Sequence, residues 1–245
     1  MLKIALVGYG KMGRRIAEMV PGRGMEVGAV IDKEEDWAVF AAQLKHCDVA
    51  IEFSVPAAAF RNITRLLDAG IPVVSGTTGW DEYLPAIKAH ADKLGVGLMV
   101  ASNFSIGMNL FFALNRNLAG MMGSHPDYSA SLREVHHIHK LDAPSGTAKT
   151  LAADLVACHP GYSGWMSGSE TPETGMLPVE SVREGEVTGI HEITFRGGSD
   201  RITIAHEAFS RDGFATGAMA AATWIVGKNG FHTMQEMLFG DITAG

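Results

Sequence analysis

The chain has 245 residues, 47% of them hydrophobic and 19% charged, with a formal net charge of −7 at pH 7. That length allows one large domain or two small ones around a substantial core. The acidic balance, without any Lys/Arg cluster, speaks against a nucleic-acid partner, and no apolar run approaches the roughly 18 residues of a membrane span. The two cysteines, Cys47 and Cys158, form no C-x-x-C pair and point to a reducing, cytoplasmic setting rather than a disulfide framework. The apolar N-terminus lacks the charged leader and cleavage site of a signal peptide.

The first hundred residues alternate apolar strands with helical segments. Leu2–Val7 reads as a strand, followed by glycines and a helix from Lys11 to about Val20; Met25–Asp32 and Asp48–Phe53 are the next strands. Ala57–Ala69 carries Phe60, Ile63, Leu66 and Leu67 at helical spacing before Gly70 closes it. Ile71–Ser75 and Gly97–Ala101 add two strands, with a helix over Asp81–Leu94 between them. This rhythm predicts an α/β domain with a Rossmann-type, doubly wound parallel sheet.

Then the pattern changes. Ile106–Met122 is a long apolar helix whose Leu, Phe and Met residues suit a packed core better than a cofactor box. Strand-like stretches at Ala130–His136, His191–Phe195 and Arg201–His206, with a helix from about Gly146 to Cys158, predict a separate α+β unit with a mixed or antiparallel sheet. Pro160–Pro178 is rich in Gly, Ser, Thr and Pro and reads as a long loop, a length that is unusual unless functional. A small-residue helix over Phe214–Val226 and a short one near Thr233–Phe239 are expected to rejoin the first domain. The division expected is 1–105 with 212–245 for a dinucleotide-binding domain, and 106–211 for a substrate-binding domain inserted into it. There are no internal repeats.

Gly8-Tyr9-Gly10-Lys11-Met12-Gly13 fits G-x-G-x-x-G. With 29 glycines in the chain the match alone is weak, but it lies directly after a strand and opens a helix. There the glycines permit a tight turn and close approach of backbone to a pyrophosphate at the helix N-terminus. Asp32, ending the second strand, is placed to accept hydrogen bonds from a ribose. The following Lys33 is able to attract a 2′-phosphate, so NADH and NADPH both stay open. Gly76, Thr77 and Thr78 follow the fourth strand, and Ala101, Ser102, Asn103 and Phe104 follow the fifth. Ligands bind at the carboxyl ends of such strands, so both segments are candidates to border the nicotinamide, although each also reads as an ordinary turn.

The stretch richest in chemistry runs from Glu134 to Ala148, Glu-Val-His-His-Ile-His-Lys-Leu-Asp-Ala-Pro-Ser-Gly-Thr-Ala. His136, His137, His139 and Lys140 crowd proton donors together, and Ser145-Gly146-Thr147 opens a helix whose free N–H groups suit an anion. A proton-transfer group beside a carboxylate cradle points to a small acidic substrate. Three histidines in four residues also suggest a metal. However, strand alternation sends His136 and His137 to opposite faces, and no Cys or acidic partner is spaced to complete a site, so no metal is expected. His139 reads as structural, Glu134 and Asp142 as groups that orient cations or cap the turn, and His191 and His206 as packing or interface residues. Arg211 reads equally as a carboxylate contact and as a surface residue.

The same run resembles the signature E-x-H-H-x-x-K-x-D-A-P-S-G-T-A of the dihydrodipicolinate reductase family, with every fixed position present. The resemblance extends over the whole chain through Gly8–Gly13, Ser75–Gly79, Ala101–Gly107 and Arg211-Asp212-Gly213-Phe214. It implies reduction of a small cyclic dicarboxylate by NADH or NADPH in lysine and diaminopimelate biosynthesis. It further implies His136 and Lys140 as the catalytic acid/base pair, and His137, Lys140, Ser145, Gly146 and Thr147 as substrate contacts. The cofactor positions it implies are Gly8 to Gly13, Asp32, Lys33, Gly76 to Thr78 and Ala101 to Phe104, and the assembly a homotetramer built through the second domain. The residue types also leave two rivals. A semialdehyde dehydrogenase would need a catalytic Cys, which neither Cys47 nor Cys158 is placed to supply. A non-catalytic NAD(P) sensor would have no use for His136, Lys140 and the Ser-Gly-Thr cradle together.

Overall fold

The computed structural model describes residues 1–168 and 173–240. In chain order the elements are β1 (Leu2–Val7), α1 (Lys11–Met19), β2 (Met25–Ile31), α2 (Asp36–Val39), α3 (Ala41–Leu44), β3 (Val49–Glu52), α4 (Pro56–Asp68), β4 (Val73–Ser75), α5 (Leu84–Leu94) and β5 (Leu98–Val100). There follow α6 (Ile106–Met122), β6 (Ser129–His136), α7 (Gly146–Cys158), β7 (Gly164–Ser167), β8 (Met176–Arg183), β9 (Gly189–Arg196) and β10 (Arg201–Ala208). The last described elements are α8 (Asp212–Ile225), β11 (Phe231–His232) and α9 (Met234–Phe239). They form two compact units, residues 1–106 with 212–245 and residues 107–211.

The first unit holds a six-stranded parallel sheet in the order β11-β5-β4-β3-β1-β2. Alternation along β1 explains why helices cover both faces. Ile4 and Leu6 join one core with Ile16 of α1 and the small residues of α8. Ala5 and Val7 join a second core with Ala59, Ile63, Leu66 and Leu67 of α4 and Ile87 of α5. Proline at its N-terminus starts α4, and α5 stops at Gly95, whose φ of 65° is the left-handed cap glycine tolerates. Close packing of α8 depends on Gly217, where a Cβ would stand 1.7 Å from the carbonyl oxygen of Phe104. From β1 the chain steps outward to β2 and then reverses to β3 on the other side. The carboxyl ends of β1 and β3 therefore part at a topological switch point, where open α/β sheets bind ligands.

The second unit holds a five-stranded mixed sheet in the order β10-β9-β6-β8-β7. Strands β6, β7 and β8 run parallel, β9 runs antiparallel to β6, and β10 runs antiparallel to β9 and so in the direction of the first three. Helices α6 and α7 supply Met108, Phe111, Leu151 and Leu155 to a core with Ala130, Leu132, Val179, Ile193 and Phe195 of the sheet.

The Pro160–Pro178 loop expected from sequence is corrected here. It contains β7 and the start of β8, paired from Gly164↔Met176 to Ser167↔Val179, with Leu177 fully buried. The alternation in this stretch spans only a few residues, and glycine and serine within it mask the period. Residues 169–172 of that loop lie outside the described residues. The short α2, α3 and β11 were also unforeseen, because one turn of helix or two residues of strand carry no readable period.

Candidate active site

In the first unit a cleft of about 230 Å³ opens at the switch point, lined among others by Gly8, Gly10, Asp32, Lys33, Phe53 and Arg61. Gly8 has φ 90°, and a Cβ there would stand 2.2 Å from the Phe53 carbonyl oxygen; a Cβ on Gly13 would stand 2.1 Å from the Gly8 oxygen. Both glycines are therefore demanded by backbone packing. Gly10 differs, with nothing within 4 Å of where its Cβ would be, which leaves room at the N-terminus of α1 for a phosphate. Asp32 accepts the Tyr9 N–H at 2.7 Å, which ties the glycine turn to the end of β2. These features fit a dinucleotide.

Several residues around this cleft were missed by the sequence reading. The Asp36 carboxylate accepts both the Asp32 and Lys33 N–H groups at 2.8 Å, and these two hydrogen bonds hold its pKa below the ordinary value. Glu34 pairs with Arg61 at 2.9 Å and Arg65 at 2.6 Å. Fully buried Glu52, at the end of β3, gathers four donors. It accepts from the Ser54 N–H at 2.9 Å, the Ser75 hydroxyl at 2.5 Å, the Thr77 hydroxyl at 2.9 Å and the Ser54 hydroxyl. A charged residue between the apolar run Val49-Ala50-Ile51 and Phe53 was the available signal. Among the expected cofactor positions, Thr77 and Phe104 are buried, Thr77 holding Glu52 and Phe104 meeting Phe53 edge-on at 6.1 Å. Gly76 lies against the Phe53 ring, where a Cβ would stand 2.0 Å away, and Thr78 and Ser102 are exposed.

In the second unit the strands carry their pattern beyond the apolar core. Along β6 the residues Ala130, Leu132, Glu134 and His136 share one face. The first two pack under the helices, and the next two continue the row as a polar site. Register sets His191 of β9 and Ser181 of β8 on either side of Glu134, and Arg183 of β8 beside His136.

Glu134 is fully buried. Its Oε1 accepts the Ser145 N–H at 2.9 Å and lies 3.4 Å from Arg183 Nη2. Its Oε2 lies 3.2 Å from His136 Nδ1 and 3.8 Å from His191 Nε2. Burial alone would push the Glu134 carboxyl up, but the close approach of His136 and the hydrogen bond from Ser145 outweigh it and hold the group well below the usual carboxylate range. Burial, reinforced by the neighbouring His136, lowers His191 to about 4, so it is neutral near pH 7. Arg183 also donates to the Lys140 carbonyl at 3.2 Å and to the Asp142 carbonyl at 2.5 Å, which anchors the loop between β6 and α7.

The expected residues separate by position. Lys140 Nζ pairs with Asp142 at 2.7 Å, and this partner lowers the Asp142 pKa. His137 is half-buried; His139 is exposed and pairs with Glu186 at 3.1 Å. Ser145 is buried, with its N–H given to Glu134 and its hydroxyl accepting the Ala148 N–H at 3.1 Å, so it caps the start of α7 and ties it to Glu134. The N–H groups of Gly146 and Thr147, in the first turn of α7, have no intrahelical acceptor, and nothing lies within 4 Å of a Cβ placed on Gly146. His206 packs beside Phe111, as its strand position suggested, and Arg211 is exposed.

His191 is the larger departure. It was expected in packing, and it instead shares the Glu134 carboxylate. The ligand-capable atoms of Glu134, His136 and His191 lie within 4.8 Å of one another, which corrects the sequence argument that no acidic partner is spaced for a metal. One carboxylate oxygen is already taken by Ser145 and Arg183, and the guanidinium charge beside it opposes a second cation.

A family model described as dihydrodipicolinate reductase, N-terminus, matches residues 2–104, and its C-terminal counterpart matches 107–238. A curated relative, the 4-hydroxy-tetrahydrodipicolinate reductase of Christiangramia forsetii, is 43% identical over 97% of this chain and 98% of its own length. The chain belongs to the dihydrodipicolinate reductase family. The reductase of the same name from Methanopyrus kandleri is 36% identical over 97% of this chain and 96% of its own length. Among solved structures, a dipicolinate-bound dihydrodipicolinate reductase from Paenisporosarcina sp. TG-14 matches with a TM-score of 0.78. It is 24% identical and covers 96% of this chain and 98% of that one. An amine dehydrogenase from Mycobacterium smegmatis has the same fold, with a TM-score of 0.59 and 12% identity over 94% of each chain. The reductase family therefore shares its architecture with an enzyme of another name, and the substrate has to be argued from the site.

Proposed function

We propose that this chain reduces 4-hydroxy-tetrahydrodipicolinate to tetrahydrodipicolinate at the expense of NADH or NADPH, in lysine and diaminopimelate biosynthesis. The observation that carries this reading is the juxtaposition of His136, on its buried carboxylate, with the open N–H groups at the head of α7. It is supported by the 43% identity to a reductase of that name.

When bound, the nicotinamide supplies the hydride. The Gly8–Gly13 turn and the α1 N-terminus hold the pyrophosphate, and Asp32 takes the adenosine ribose. In the second unit the Gly146 and Thr147 N–H groups accept one substrate carboxylate, assisted by the α7 dipole. His137 and Lys140 hold the other end. Loss of the 4-hydroxyl as water gives the conjugated imine that is reduced; hydride added to it would leave an electron pair on the substrate, and His136 or Lys140 would deliver the proton that completes the reduction. Their positive charge also stabilises that pair as it develops.

The decisive assay is loss of NAD(P)H absorbance at 340 nm. Oxidation that depends on added 4-hydroxy-tetrahydrodipicolinate supports the reading, and cofactor binding without turnover would favour a sensor.

Lys33 is the candidate contact for a 2′-phosphate. Lys33→Ala is expected to lower kcat/KM for NADPH about tenfold, the effect of roughly 1.4 kcal/mol, while NADH changes little. Equal losses with both cofactors would remove Lys33 from that role.

We place the enzyme in the cytoplasm as a homotetramer assembled through the second unit. The support is β10, an eight-residue edge strand paired on one side only among the described residues, with Ile202 exposed. Light scattering should report the mass of four chains; a monomer would reject the assembly.

A further inference from the structure

The 3.2 Å approach between Glu134 and His136 leaves an unusual residue of unmet hydrogen bonding. Among the described residues, Glu134 Oε2, His136 Nδ1 and His191 Nδ1 are buried without a hydrogen-bond partner, so at 3.2 Å the imidazole is turned slightly off the line of a strong bond. Buried polar atoms are normally satisfied, and an exception in a functional cluster calls for a reason. An ionised carboxylate only accepts, so the proton between the two groups sits on the imidazole.

We propose that Glu134 is the positioning residue of the proton-transfer centre: it holds His136 with a protonated Nδ1 turned inward, leaving Nε2 as the atom that serves the substrate. The proposal rests on His136 being the proton donor.

Four features of the second unit support it. Gly189 of β9 lies against the outer edge of the ring, and a Cβ there would stand 3.1 Å from Nε2, so glycine keeps that edge clear. His191 faces the same Oε2 but is buried and neutral, with Ser145 Oγ 3.4 Å from its Nε2, so it does not compete as a cation with His136 for that oxygen. Arg183 and the Ser145 N–H hold the other oxygen, which prevents the carboxylate from rotating away. The same two partners fix the loop carrying Lys140 and the head of α7, so one buried anion sets both the donor and the carboxylate cradle in place. As His136 gives up its proton from Nε2 it remains neutral with Nδ1–H on Glu134; reprotonation of Nε2 from solvent restores the imidazolium, and Glu134 itself never changes protonation state.

The test is Glu134→Gln, which keeps the side-chain volume and an oxygen for the Ser145 N–H but removes the charge and offers an N–H₂ to Nδ1. The expected result is a kcat about 10²-fold lower with KM for both substrates within about threefold. The solvent deuterium isotope effect on kcat should rise, and the effect of deuterated nicotinamide should fall, because proton delivery becomes limiting. In the unliganded protein, ¹⁵N-labelled histidine spectra should show the His136 proton moving from Nδ1 to Nε2. Glu134→Asp should recover part of kcat. A loss of kcat with unchanged isotope effects and an unchanged tautomer would mean that Glu134 only supports the fold, and a wild-type kcat would overturn the proposal directly. Failure of the functional reading looks different: the wild-type protein would then not oxidise NADH with this substrate at all, while the tautomer measurement would still judge Glu134.

Discussion

His136→Gln is expected to lower kcat by about 10²- to 10⁴-fold, the range for losing a general acid, with NADH affinity unchanged. Lys140→Ala should lower kcat by a similar factor and also raise KM for the dicarboxylate, because in the proposed mechanism the ammonium both binds and donates. Neither change should unfold the protein. Glutamine still reaches Glu134, and the Asp142 carboxylate left by the loss of Lys140 is 53% exposed and remains solvated. Stopped-flow binding of NADH beside steady-state kinetics separates the two sites, since the cofactor cleft is built from residues of the first unit alone. Near wild-type kcat in both variants would sink the catalytic assignment.

Glu52→Ala is expected to cost about 3 kcal/mol of stability and to weaken NADH binding more than tenfold. The reason is the number of donors gathered on a carboxylate with no exposure: Ser54 contributes its N–H and hydroxyl, and Ser75 and Thr77 contribute hydroxyls. Without the acceptor these groups are stranded in the interior, and the carboxyl ends of β3 and β4 lose the group that joins them. Thermal unfolding and fluorescence titration with NADH read the two effects. Glu52→Gln keeps one acceptor oxygen and should fall between wild type and alanine in both, which keeps the test usable if the alanine variant does not fold. Unchanged NADH affinity in a folded Glu52→Gln or Glu52→Ala variant would confine Glu52 to stability.

The two predictions differ in how far the sequence anticipated them. His136 and Lys140 stand in one fifteen-residue run, so the sequence alone marks them as candidates for a shared site. Glu52 lies far along the chain from Thr77, and nothing local announces that they meet. The same contrast holds for Arg183 and His191. Each sits in a strand that reads as ordinary alternation, and each reaches Glu134 only because β8 and β9 flank β6 in this register. Asp36 follows the same logic over a shorter distance, since its carboxylate turns back to the N–H groups of Asp32 and Lys33.

By itself the sequence determined the parallel sheet and its glycine turn and singled out Glu134–Ala148 as the candidate site, because hydrophobic periodicity and covalent adjacency are local properties. Only the tertiary structure decided that Pro160–Pro178 carries strands, that His191 faces the Glu134 carboxylate, and that Ser145 gives its N–H to Glu134. These depend on strand order and register. A buried carboxylate selects its partners by which strands lie beside its own, and that order is set by packing of the whole sheet rather than by any local pattern.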